Sequence, residues 1–117
     1  REPVNLLGHS YGALCSLEAA LLTSNARRLV LYEPPIRAGV EFFAPEIANK
    51  LQALLGAEDR NALVTTFMDE IAELRPDDVK ILQSLPCWKG RVAAAHTIMR
   101  EVRATKITCW TSNGLGS

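Results

Sequence analysis

Apolar positions along the chain change their spacing once, near residue 43. Before it, Val4-Asn5-Leu6-Leu7-Gly8 is a short apolar run with a β-branched entry and a glycine exit. That pattern predicts a strand buried in a parallel sheet. From Tyr11 to about Thr23 the leucines Leu14, Leu17 and Leu21 recur at helical spacing, with Ala13 and Ala20 beside them. Ser24-Asn25 stops that helix, and Arg28-Leu29-Val30-Leu31-Tyr32 reads as a second buried strand. Glu33-Pro34-Pro35 ends it, because proline offers no N–H to a ladder and restricts the residue before it. Strand, helix and strand with short connections predict a right-handed crossover and a parallel pair.

After residue 43 the spacing is helical throughout. Pro45 suits a first helical turn, Ile47, Leu51, Leu54 and Leu55 form one stripe, and Gly56 is placed to close the helix. Asp59 is a candidate cap for a second helix carrying Leu63, Val64, Phe67, Met68, Ile71 and Leu74. Pro76 with Asp77 and Asp78 predicts a third start, running to about Leu85. A fourth helix begins near Trp88, with Trp88, Val92, Ala95, Met99 and Val102 on one face. The fold class is therefore α/β: a parallel strand–helix–strand over residues 1–36, then an all-helical region over 37–106. Residues 107–117 are polar and glycine-rich after Trp110 and are expected to form a disordered tail.

Composition narrows the function classes. The chain has 117 residues, 48% of them hydrophobic and 22% charged, with a net charge of zero. Without a basic stripe, nucleic-acid binding has no electrostatic footprint. No apolar run is long enough to span a bilayer, and no leader pattern opens the chain. The three cysteines, Cys15, Cys87 and Cys109, are widely spaced and odd in number. That argues against a disulfide framework or zinc site, and for reduced, mostly buried thiols in a cytoplasmic protein.

Gly8-His9-Ser10-Tyr11-Gly12 fits G-x-S-x-G where a predicted strand meets a predicted helix, which is the context this motif requires. A sharp turn there projects the Ser10 hydroxyl, and Gly8 and Gly12 leave room for the backbones that cross at it. The helix after Ser10 points its N–H groups and positive end at the reacting centre. The N–H of Tyr11, directly after the serine, is the natural first oxyanion donor. A tight turn with an ordinary capping serine is the plainer alternative.

On these residues, and on Arg28-Leu29-Val30-Leu31-Tyr32-Glu33-Pro34-Pro35, the chain resembles the α/β-hydrolase superfamily. The resemblance implies a partial α/β-hydrolase fold, with residues 3–12 as the nucleophile strand and elbow and the helices after residue 43 as a cap. It implies a serine hydrolase acting on an ester or related carbonyl substrate, with a small-molecule partner and no metal or organic cofactor. In that family the acid and the histidine follow the nucleophile along the chain. Residues after Lys106 do not resemble the expected strand and acid loop. The chain is therefore expected to be a fragment, from a truncated or frame-shifted reading frame, with little turnover alone.

A serine hydroxyl needs an adjacent base. His9 precedes Ser10 and is expected to project elsewhere, packing near the site as a substrate-side residue. His96 is expected on a helix flank, outside the catalytic set. Glu33 ends the second strand on the same edge as Ser10; it is a candidate triad acid, or a structural carboxylate at the entry to the helices. Asp69, Glu70, Asp77, Asp78, Arg91, Arg100 and Arg103 read as solvated helix faces or starts. Two rival readings stay open. One is a non-catalytic helical interaction module; the other is related superfamily chemistry, such as haloperoxidase or C–C bond hydrolysis. The oligomeric state is not legible.

Overall fold

The computed structural model describes residues 2–36 and 43–107, which belong to two compact units. The first unit is the expected α/β element. Strand β1 (Val4–His9) leads into helix α1 (Tyr11–Leu22), and strand β2 (Ala26–Tyr32) returns parallel to β1. Asn5 pairs with Arg28, Leu6 with Leu29, Leu7 with Val30, Gly8 with Leu31 and His9 with Tyr32; an irregularity between Val4 and Asn5 skips Arg27. Thr23 leaves the helix in extended backbone, and its Oγ1 accepts the Asn25 N–H at 3.1 Å.

Helix α1 packs on both strands. Side chains alternate across a strand, so Leu6, Gly8, Leu29 and Leu31 share one face and Leu7, His9, Val30 and Tyr32 the other. The first set is half-buried or buried. The second is open, with Leu7 74%, Val30 56% and Tyr32 59% exposed. The expectation of two buried strands is thus corrected. One helix covers one face, and among the described residues of this unit nothing covers the other. Leu21 of the predicted helical stripe is exposed for a similar reason, while Ala13 and Leu14 are buried.

The second unit is helical: α2 (Pro45–Gly56), α3 (Arg60–Thr66), α4 (Pro76–Ser84), α5 (Cys87–Ala93) and α6 (Ile98–Ile107). Pro45 and Pro76 stand at the starts of α2 and α4, and the Asp59 side chain accepts the Ala62 N–H at 3.0 Å to cap α3. Gly56 does not provide the left-handed exit from α2. Glu58, at φ 58°, provides it.

Two predicted helices are interrupted. After α3 the chain widens into a π-helical turn over Phe67–Ile71, in which the Ala72 N–H donates to Phe67 O at 3.0 Å. The expected last helix breaks between α5 and α6 into a 3₁₀ turn, Ala95–Thr97. Side chains add hydrogen bonds to the carbonyls at this break, where the Thr97 N–H also donates to Ala94 O at 2.9 Å. Arg60 Nη1 donates to Ala93 O at 3.2 Å, Thr97 Oγ1 donates to Ala94 O at 2.9 Å, and His96 Nδ1 lies 3.2 Å from Ala93 O. The predicted apolar face survives, for Trp88, Ala95, Met99 and Val102 are all buried, with Leu51, Leu63, Val64 and Val79. Trp88 Nε1 donates to Asn61 Oδ1 at 2.8 Å, which satisfies its one donor inside the unit.

Of the tail expected at 107–117, Ile107 closes α6 and the rest lies outside the described residues. Cys109 lies there too. The other two thiols, Cys15 and Cys87, are free and exposed, where burial was expected. Each falls on the outward side of its helix. No described helix is long and apolar enough to cross a membrane.

Candidate functional site

The C-terminal edge of the strand pair gathers Gly8, His9, Ser10, Tyr11, Tyr32 and Glu33. Ser10 sits between β1 and α1 at φ 52°, ψ −126°. That is the backbone of the first central residue of a type II′ turn, which glycine takes freely and a serine holds at a cost of about 1–3 kcal/mol. The Ser10 N–H donates to Tyr32 O at 2.9 Å, and the Ser10 carbonyl accepts the Ala13 N–H at 2.9 Å. Its side chain makes no capping bond to α1, and the residue is exposed. The plainer alternative of an ordinary capping serine therefore loses its hydrogen bond.

Gly8 explains how the turn can be so tight. A Cβ there would lie 2.5 Å from Gly12 O and 2.6 Å from both Ala13 Cα and Ser16 Oγ. No side chain fits that approach of helix to strand. Gly12 differs: among the described residues a Cβ there meets nothing within 4 Å, so none of them sets a steric demand at that position.

Among the described residues, four non-glycine residues have positive φ: Ser10, Glu33, Glu58 and Glu73. Glu58 and Glu73 follow helical turns, where a left-handed exit is common. Ser10 and Glu33 instead follow the paired strand ends His9 and Tyr32. Glu33, at φ 47°, is exposed. The Glu33-Pro34 step argued for extended backbone, so its left-handed turn was not visible in the sequence. Nor was the ring contact between His9 and Tyr32, whose centroids are 5.1 Å apart and whose planes are tilted by 33°. Their pairing across the strands is the only signal that could have found it.

His9 thus shares the open sheet face with Tyr32, and His96 is exposed in the other unit. Arg75 and Asp78 form a two-pronged ion pair at the start of α4, with bonds of 2.9 and 3.1 Å. The Arg75 hydrogen bond holds the Asp78 carboxyl below the usual aspartate range. Lys50 pairs with Glu70, and Lys80 with Asp77. Asp77 and Asp78 stand in the first turn of α4, the helix start that the sequence predicts for them. Among the described residues no three His, Cys, Asp or Glu side chains gather as a metal site requires.

No family model matches the chain, and no curated protein matches it. It is similar to a crystal structure of an alpha/beta hydrolase from Sphaerobacter thermophilus DSM 20745, with 35% identity and a TM-score of 0.73. The match covers 85% of this chain and 39% of that one. The chain therefore spans less than half the length of that hydrolase. By fold and by identity together, the described residues form a partial α/β-hydrolase fold, and the chain resembles the α/β-hydrolase superfamily.

Proposed function

We propose that the chain carries the nucleophile of a serine hydrolase, with Ser10 as the attacking residue and an ester or related carbonyl compound as the small-molecule substrate. The observation that supports this most is the backbone of Ser10: a strained, uncapped serine on a strand-to-helix turn, made possible by a glycine two residues earlier. Strain of this kind needs a reason, and projecting a hydroxyl at a helix N-terminus is one. In this reading the Ser10 Oγ attacks the carbonyl carbon and yields its proton to a base. The Tyr11 N–H donates to the oxyanion, and the alcohol leaves with a proton to give an acyl-serine. Water then attacks the acyl group and restores Ser10.

His9 leans on Tyr32 and His96 belongs to the helical unit, so neither is assigned as the base. His9 and His96 are the two histidines of the sequence, so the reading takes the base from a histidine outside these 117 residues. His9 keeps its proposed place beside the substrate. Glu33, at the end of the neighbouring strand, is the proposed acid. The helical unit takes the part of the cap, and the proposed setting is the cytoplasm.

A fluorophosphonate probe tests the core of the proposal. With imidazole added to stand in for the base, labelling of the chain at Ser10, lost in Ser10→Ala, is the expected result. A folded chain that stays unlabelled, or that labels equally in Ser10→Ala, rules Ser10 out as the nucleophile.

A further inference from the structure

We propose that Tyr32 is a positioning residue for Ser10, holding the strained turn through two separate contacts. The inference rests on reading Ser10 as the nucleophile. The first contact is the Tyr32 carbonyl, which accepts the Ser10 N–H at 2.9 Å. The second is the Tyr32 ring, set 5.1 Å from the ring of His9. His9 and Tyr32 are register partners, so one residue of β2 holds the last residue of β1 by its ring and Ser10, directly after β1, by its backbone.

Ser10 needs such a hold. Its side chain makes no bond to α1, and its φ of 52° is a conformation it would leave if released. The last residue of a strand frays readily unless something ties it down. Tyr32 is 59% exposed, so burial does not tie it. Directly after it, Glu33 turns away at φ 47°, so the ladder does not continue. The His9 ring is the side-chain contact that supports the backbone pairing at the end of β2. Through it, the carbonyl stays aimed at Ser10.

The test uses the 117-residue chain with three variants: Tyr32→Phe, Tyr32→Ala and His9→Ala. Amide exchange at Ser10 is read by NMR beside that of Ala13 and Leu14, and fluorophosphonate labelling is timed in each with imidazole added as the base. Tyr32→Ala and His9→Ala each remove the ring contact and leave the backbone carbonyl. Both are expected to speed exchange at Ser10 and slow its labelling by roughly three- to tenfold, the factor an aromatic contact is worth. Ala13 and Leu14 keep their exchange rates, and Tyr32→Phe behaves as the unchanged chain.

The proposal is overturned if Ser10 exchanges at its original rate in both alanine variants. It is also overturned if all three amides loosen together, because the ring then only stabilises the unit. Should Tyr32→Ala not fold, His9→Ala carries the same test from the other side. A folded original chain that never labels removes Ser10 as nucleophile, and the exchange rates still decide whether Tyr32 braces the turn.

Discussion

In the helical unit, Leu51, Leu63, Val64, Val79, Trp88, Ala95, Met99 and Val102 are buried against one another's helices. In the strand–helix–strand unit, the buried hydrophobic side chains among the described residues are Ala13 and Leu14. The helical unit is specified by side chains that pack. The strand unit is specified by backbone: a ladder, a glycine that admits a helix, and two left-handed corners. Leu7, Val30 and Tyr32, on the open face of its strands, face outward. The difference teaches that order and self-sufficiency are separate properties. A segment can have a fully determined backbone and still bury too little apolar surface to stand on side-chain packing alone.

The contrast breaks first at Leu63, which is 0% exposed. Leu63→Ala is expected to cost about 2–5 kcal/mol in urea unfolding followed by circular dichroism, while Leu7→Ala or Val30→Ala moves stability by less than about 0.5 kcal/mol. Equal losses in the two units would refute the division. Next comes Gly8→Ala, a small added group in the unit without a side-chain core. Because the methyl meets backbone at 2.5 Å, the strands must shift, at roughly 1–3 kcal/mol. Amide protection should fall over residues 4–32 and persist over 45–105; uniform loss would show that the units unfold as one.

The smallest effect sharpens the comparison by pH. Partial burial raises the Glu101 carboxyl above its ordinary 4.5, partly offset by Arg100. A raised carboxyl binds its proton more tightly in the folded chain. Stability is therefore lost as pH climbs from the ordinary glutamate value through the raised one, and the cost is fully present above it. Glu101→Gln should unfold at higher urea than the unchanged chain near neutral pH and lose that advantage as the pH drops below 4.5. An advantage that persists unchanged in acid would mean the carboxylate's charge is not its cause.

Much of this architecture was legible in the residues, and the reasons differ by element. Pro45, Asp59 and Pro76 marked helix starts because each acts locally, by a fixed φ or a side-chain acceptor. The G-x-S-x-G run marked the turn, and Gly8 is the position in it where the close approach of helix to strand demands a glycine. The interruptions at Phe67–Ile71 and Ala95–Thr97 were not legible. Periodicity reports the spacing of apolar groups, which a wide turn barely alters. Ala93-Ala94-Ala95 is a strong helix-forming run, and its break is sustained by Arg60, more than 30 residues away. The exposed faces of β1 and β2 were missed for another reason. An apolar run says that a strand is suited to burial, and only the neighbours decide whether it is buried. At the candidate site, the sequence placed Ser10 and Glu33 at the right ends of their strands. It gave no sign of the His9–Tyr32 contact, which exists only once the register is set.

The absent side chain at Gly8 also settles that register. A strand has a period of two, so a slip of one residue turns every side chain to the opposite face. If β1 slid by one position, Leu7 or His9 would face α1 at the point where Gly12, Ala13 and Ser16 leave no room for a Cβ. The misaligned sheet is thereby excluded by collision, with no need for a favourable contact to reward the correct one. In a unit with so little core, that veto is what gives the alternation of faces a single solution.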